Sequence, residues 1–198
     1  RGNTEAVVRV SWNDHVWIKR VLDLGPAGLM IPMVESAEAA RAAVSAMRYP
    51  PDGRRGLGPG RANRYGRALP DYLERSDEEL VTICQIESAA GVENAAQIAG
   101  TDGVDAVIVG QGDLSSNLGI FGEWEADEFE NALESVIAAA EDAGIPVGML
   151  ALDHEGIRRW VNAGVDFLIA GADIGYLIEG GVAAREEFVS AVDQYDAD

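Results

Sequence analysis

The sequence is poor in nucleophiles and in positive charge. Its 198 residues include one cysteine, Cys84, one lysine, Lys19, and two histidines, His15 and His154. A lone cysteine forms no internal disulfide and no cysteine metal site, and its setting in Val81-Thr82-Ile83-Cys84-Gln85-Ile86 reads as a buried strand. Lys19 falls in a helical pattern away from any predicted strand end, which leaves no lysine placed for Schiff-base chemistry. No apolar run approaches the roughly 20 residues that cross a bilayer, and the N-terminus lacks a charged-then-apolar leader. The expectation is a soluble, cytoplasmic protein. Basic residues number 15 against 34 acidic ones, a net charge of -19 that repels nucleic acid and anionic membranes. The acids are spread along the chain, among them Glu74, Asp77, Glu78, Glu123, Asp127 and Glu130. That spread suits a solvated surface adapted to a salty, halophilic cytoplasm; a docking face for a basic partner is the alternative.

What the chain does have is apolar content, 47% of it, enough for one domain with a sizeable core. Residues 1–198 therefore read as a single domain. Short β-branched runs recur at Val7 to Val10, Leu29 to Val34, Val81 to Ile86, Ala106 to Val109, Val147 to Leu150 and Phe167 to Ala170. Helical patterns lie between them. One starts after Ser36 and covers 37–47; another runs from Glu125 to Ala143 and is closed by Gly144 and Pro146.

This β, α, β, α order belongs to the α/β class and leaves two architectures, a doubly wound open sheet or a closed (β/α)8 TIM barrel. Six units fall short of a barrel by two, or roughly 50 residues. The chain opens on Arg1 and its first strand begins almost at once, so the expectation is a barrel whose first two β/α units are missing from this chain.

The connection from about Tyr49 to Leu80 reads as one long loop rich in glycine and arginine. Its glycines follow a helix, whereas a dinucleotide fingerprint joins a strand to a helix, so nucleotide binding is rejected. Its arginines fit an anionic substrate, carboxylates of a neighbouring subunit, or internal pairs that pin the loop.

Catalytic groups of a barrel sit just beyond the C-terminal ends of its strands. Arg9, Glu87 and Asp113 all fall there. Two carboxylates from neighbouring strands make an oxygen-ligand site suited to Mg²⁺ or Mn²⁺, and zinc is less favoured without histidine or cysteine. Position alone leaves this open, because Asp113 before Leu114-Ser115-Ser116 also fits a helix N-cap.

Six stretches, in order, carry a resemblance: Val8-Arg9-Val10-Ser11-Trp12-Asn13-Asp14, Pro32-Met33-Val34, Arg48-Tyr49-Pro50-Pro51, Arg55-Gly56-Leu57-Gly58, Gln85-Ile86-Glu87 and Gly110-Gln111-Gly112-Asp113-Leu114-Ser115. Together they resemble the HpcH/HpaI family of class II pyruvate aldolases. The resemblance implies a metal-dependent TIM barrel of the phosphoenolpyruvate/pyruvate type, a homo-oligomer (trimer or hexamer) that splits a 4-hydroxy-2-oxo acid into pyruvate and an aldehyde. It implies a divalent cation, Mg²⁺, Mn²⁺ or Co²⁺, held by Glu87 and Asp113. By the same likeness Arg9 holds the keto oxygen and Gln85 supports the ligand shell, while the Gly112 and Asp113 backbone receives the pyruvate carboxylate. Asp23 matches an acid that steadies the active site, with a solvated helix residue as its other reading, and Leu150 matches an apolar contact to the aldehyde across a subunit boundary.

Two departures stand out. The family pattern Gly-Pro-Ala-Asp-Leu-Ser is here Gly110-Gln111-Gly112-Asp113-Leu114-Ser115, with more flexible amides before Asp113. The family's histidine base lies upstream of Arg9, and His15 and His154 read as surface or capping residues. An acyl-CoA or citrate-type lyase using the same two acids, and a barrel that has lost catalysis, are the rival readings.

Overall fold

In the computed structural model, which describes residues 4–195, strands and helices alternate along the chain. The strands are β1 (Val7–Arg9), β2 (Gly28–Ile31), β3 (Val81–Ile86), β4 (Ala106–Val109), β5 (Val147–Ala151) and β6 (Phe167–Ala170). The helices are α1 (His15–Leu22), α2 (Ala37–Met47), α3 (Leu69–Glu79), α4 (Ala89–Glu93), α5 (Ala95–Ala99), α6 (Gln111–Asn117), α7 (Asp127–Ala143), α8 (His154–Asn162) and α9 (Asp173–Tyr195). All six strands pair in parallel, in chain order, within one curled sheet. β2 and β4 are apolar and buried at every position, as parallel strands covered on both faces must be.

Alternation along each strand sorts the side chains into two cores. Leu29, Ile31, Cys84, Ile86, Val107, Val109, Val147 and Met149 pack outward beneath the helices. Met30, Ile83, Ala106 and Ile108 form a second cluster on the concave face, joined by Phe167. Burying a side chain of this size stabilises the fold by roughly 1.5–3 kcal/mol. The helix that covers most of the sheet is α7, which buries Phe129, Leu133, Val136 and Ala140 along one stripe. Phe129 meets Trp124 and Trp160 edge-on or tilted, with ring centroids 5.5 and 6.1 Å away.

Helix ends follow their chemistry. Asp14, Ser36, Ser88 and Asp153 each accept a backbone N–H from the first turn they cap, worth about 1 kcal/mol apiece. α7 closes at Gly144, whose φ of 72° is a left-handed cap that a residue with a Cβ adopts only with strain.

The connection between β2 and β3 differs from expectation. Its last third is helix α3, entered through Pro70 in the first turn. A charged sequence (Leu69–Glu79 has six acidic or basic residues in its eleven) hides this helix from a reading based on apolar period. The remaining segment, 48–68, runs past the N-terminal ends of the strands and is pinned from within. Asn63 is buried, accepts from the Gly60 and Gly66 amides and donates to the Gly58 carbonyl. Arg55 is buried between the rings of Tyr49 and Tyr72, 4.6 and 5.3 Å from their centroids, and reaches Asp23. For Arg55 the internal-pair reading of the arginines is the one realised; Arg54, Arg61, Arg64 and Arg67 are exposed.

Candidate active site

The concave face carries the polar groups, and strand parity explains why. Val8 and Val10 turn outward, so Arg9 at the end of β1 turns inward. In β3, Cys84 and Ile86 pack outward, so Gln85 and Glu87 turn inward. The pairing Ile86 with Val109 and Val109 with Met149 carries the register upward, placing Glu87, Gly110 and Leu150 at one level just above the apolar layer. Leu150 pairs with Ile169 in β6, which completes that level.

Glu87 is 3% exposed. Its Oε1 accepts the Met33 amide at 2.8 Å, and its Oε2 has no hydrogen-bond partner. Met33 has a φ of 52°, unusual for a residue with a side chain, and this turn after β2 aims its N–H at the carboxylate. The same turn ends β2 at Ile31, short of the expected Val34. Val34 N donates to Gln85 O and Gly110 N to Ile86 O, so the ladder continues past the strands and holds Glu87 rigidly.

Gly110 leads into α6, which places Asp113 in its first turn. Gly110 itself is the N-cap, so Asp113 does not serve as one. A Cβ at Gly110 would collide with Glu87 Oε2 and with Gln85 Nε2. Asp113 adjoins Glu87: burial first, and then the Asp113 carboxylate, push the Glu87 carboxyl above its ordinary range, against the Met33 amide and the Arg9 guanidinium, which pull it down.

These features fit a divalent cation. Two carboxylates are pressed together, one of them buried with an unpartnered oxygen, and Gln85 Oε1 beside them is buried and likewise unpartnered. Among the described residues no group of three or more His, Cys, Asp or Glu is placed to hold a metal, so water and substrate oxygens would complete the shell.

Asp23 is not brought to this site within the chain. It caps the C-terminal end of α1, which returns to the opposite ends of the strands, where Ala27 N donates to Ala6 O and Val81 N to Ala27 O. There Asp23 accepts Lys19 at 2.6 Å and Arg55 at 3.4 Å, so it is an ion-pair centre for the 48–68 segment and not a solvated helix residue. Lys19 is thereby engaged far from Glu87. A cavity of about 620 Å³ also opens at that far end, between Gly25, Arg64, Asp71 and Tyr72. Gly112 has open space around it, and His15 and His154 are exposed first residues of α1 and α8.

A further cleft, of about 310 Å³, is lined by Gln111, Trp124, Leu150, Arg159 and Trp160 among others. Apart from Leu150, sequence reasoning assigned these residues no role. Gly110 and Met33 were quoted there only for their motif; a glycine directly after the apolar strand Ala106–Val109 was the available signal for the first, and nothing in the sequence signals the positive φ of the second.

The profile of the HpcH/HpaI aldolase/citrate lyase family matches residues 1–180. The chain belongs to this family. It is 44% identical over 195 residues to the hydroxypyruvate/pyruvate aldolase of Delftia acidovorans, covering 96% of this chain and 72% of that one. It is 38% identical over 187 residues to the 4-hydroxy-2-oxo-heptane-1,7-dioate aldolase of Shigella sonnei, 93% and 71% of the two lengths. An HpcH/HpaI aldolase/citrate lyase family protein of known structure from Burkholderia cenocepacia superposes with a TM-score of 0.87 at 37% identity, over 93% of this chain and 73% of that one. The citrate synthase SbnG is further off, at 0.80 and 29%, over 94% and 73%. This HpcH/HpaI chain is an aldolase, a carbon–carbon lyase.

Proposed function

We propose that this chain carries the pyruvate site of a divalent-metal-dependent class II aldolase that reversibly splits a 4-hydroxy-2-oxo acid into pyruvate and an aldehyde. The observation that carries this reading is the Glu87 and Asp113 pair at the ends of adjacent strands, with Arg9 on the same concave face. In the cleavage direction the C4 hydroxyl loses its proton, the C3–C4 bond breaks with its electron pair left on C3, and the pyruvate enolate then takes up a proton. Glu87 and Asp113 would hold Mg²⁺, Mn²⁺ or Co²⁺, which supplies the electrophilic pull that lowers the cost of the enolate. Arg9 meets the keto oxygen and stabilises its developing charge. Gln85 steadies Glu87 and the substrate, and the backbone at Gly112 and Asp113 receives the carboxylate.

The same proposal includes two further β/α units that close an eight-stranded barrel and supply the catalytic base. It is supported by the unpaired outer edges of β1 and β6 in the described sheet. Exposed Ile178, Phe188 and Val192 along α9 support a homo-oligomer, trimer or hexamer, of this barrel. The setting proposed for the enzyme is the cytoplasm; no helix among the described residues is long and apolar enough to cross a membrane.

The test is exchange of pyruvate methyl protons with deuterated water, followed by NMR with and without Mn²⁺. Metal-stimulated exchange is expected, and exchange that ignores the metal would sink the proposal. Arg9→Lys should lower turnover by on the order of 100-fold with metal affinity retained, because charge on the keto oxygen grows only as the proton leaves. Likeness to a citrate synthase favours citrate-type lysis as the second reading, and absence of pyruvate exchange with cleavage of a tricarboxylate would favour it.

A further inference from the structure

Glu87 and Asp113 sit inside a closed frame of hydrogen bonds. Gly110 N donates to Ile86 O at 2.9 Å, which fixes the start of α6 to the residue before Glu87. At the other end of the helix the Asn117 Oδ1 accepts the Ala89 amide at 2.8 Å, which fixes the last residue of α6 to the chain just after Ser88. The two bonds therefore bracket both carboxylates, Glu87 between Ile86 and Ala89, Asp113 between Gly110 and Asn117. Asp113 and Asn117 lie one helical turn apart and so share the face of α6 that meets the end of β3.

The two sides of the frame are held unequally. Glu87 Oε1 takes the Met33 amide, Ser88 donates to the Glu35 carboxylate at 2.7 Å, and Asn94 Nδ2 donates to the Glu35 carbonyl at 2.9 Å. The segment from Glu87 to Asn94 is thus tied to the turn after β2 whatever α6 does. α6 starts more loosely: Gly110 supplies no side-chain cap, and Gly112 in its first turn has open space around it. Leu114 and Ser115 bury another side of the helix and fix its depth, which leaves its angle to the bonds at its two ends.

We propose that Asn117 is a positioning residue for the metal site: by holding the Ala89 amide, its carboxamide oxygen sets the distance of Asp113 from Glu87. Asn117 acts through the helix and through the backbone of the segment that carries Glu87. A hard cation tolerates little error in the spacing of its oxygens, so a small swing of α6 about Gly110 is felt as lost affinity. The inference rests on the reading of Glu87 and Asp113 as the metal pair and adds a residue to that site. Its rival is plain capping: Ala89 N–H belongs to the first turn of α4, a donor without a partner inside its own helix, and a cap alone would stabilise α4 and leave metal affinity untouched.

The experiment titrates Mn²⁺ calorimetrically into the full-length enzyme and two variants, with melting of each metal-free protein alongside. Asn117→Leu keeps the branched shape and removes the acceptor; it should weaken Mn²⁺ binding by about 10-fold, as loss of an outer partner of a ligand does, while its metal-free melting temperature falls by less than about 5 °C, the share of one exposed hydrogen bond. Asn117→Asp keeps an oxygen where the Ala89 amide meets it and should bind Mn²⁺ at least as tightly as the parent. Parent-like affinity in Asn117→Leu, weakened binding in Asn117→Asp, or an Asn117→Leu protein that melts lower than that limit or does not fold overturns the proposal and leaves Asn117 as a cap of α4. A parent that binds no Mn²⁺ defeats the metal-site reading and this inference with it; a parent that binds while the variants break the pattern defeats this inference alone.

Discussion

Gly110 stands directly beside Glu87 on the neighbouring strand, and nothing larger than a hydrogen fits between its Cα and the Glu87 carboxylate. That contact places the Glu87 carboxylate against the start of the helix that bears Asp113, the pair proposed to hold the metal. Gly110→Ala should therefore displace Glu87 and Gln85 and weaken metal binding by roughly 10- to 100-fold, the loss typical of a disturbed supporting shell. Gly112, two residues on, has nothing within 4 Å of a would-be Cβ and no positive φ. Gly112→Ala should bind metal like the parent. Calorimetric titration of Mn²⁺ into both variants decides it, and equal losses would show that backbone flexibility, not the collision, is what matters at this turn.

Glu87 makes an opposite pair of predictions for stability and for binding. Burial and the adjoining Asp113 raise its carboxyl above the ordinary range in the fold, while in the unfolded chain it titrates normally. Ionising it thus costs the folded state more than the unfolded one. The metal-free protein should lose stability from this group as pH climbs from the ordinary carboxylate value through the raised one, and keep it at lower pH. Glu87→Gln removes the loss, so the metal-free variant should melt higher than the parent at neutral pH. The same variant should show no rise in melting temperature on adding Mn²⁺, where the parent should rise. A variant that melts lower than the metal-free parent would mean the carboxylate is a structural acceptor for Met33 first and a ligand second.

The strands, the cap at Ser36 and the close of α7 at Gly144 follow from period and from residues with few conformational options, and the structure puts them within two or three residues of expectation. Arg9, Glu87 and Asp113 were readable as one group because residues just beyond the C-terminal ends of parallel strands share one end of the sheet, whereas Gln85 entered only through the resemblance. The place of Asp23 was not readable, because α1 returns its C-terminal end to the opposite ends of the strands, and the resemblance that pointed to Asp23 carries no information on where this chain puts it. The left-handed Met33 was hidden as well: its amide meets a partner, the Glu87 carboxylate, 54 residues away.

Arg55 offers a sharper case, a cation with no exposed side-chain surface held by Asp23, Tyr49 and Tyr72. Arg55→Ala empties the buried space between the two rings and removes one of Asp23's two cationic partners, so it should destabilise the protein by about 3 kcal/mol in urea unfolding. Arg55→Lys should recover little of it, since a lysine lacks the flat group that lies over both rings. By contrast Arg64→Ala, an exposed change on the same segment, should stay within about 0.5 kcal/mol. Equal effects at positions 55 and 64 would show that the segment is not pinned from inside.

Cys84 supplies a reporter for the effect of salt. Its thiol is wholly buried in the outer core, and burial pushes its pKa up to about 12, so at neutral pH it is neither accessible nor ionised in the fold. Because it is the chain's single cysteine, alkylation by iodoacetamide reads out unfolding alone. With a net charge of -19 and acids spread over the surface, mutual repulsion opposes the compact state in dilute buffer. Raising KCl towards 1 M shortens the screening length from about 10 Å at 0.1 M to about 3 Å and should remove much of that repulsion. Cys84 alkylation should then slow by tenfold or more at a fixed temperature near the melting point, and the melting temperature should climb in step. Alkylation that stays equally fast in dilute buffer and molar KCl would show that the acidic surface is already balanced, and the salt-adapted reading of the composition would have to be given up.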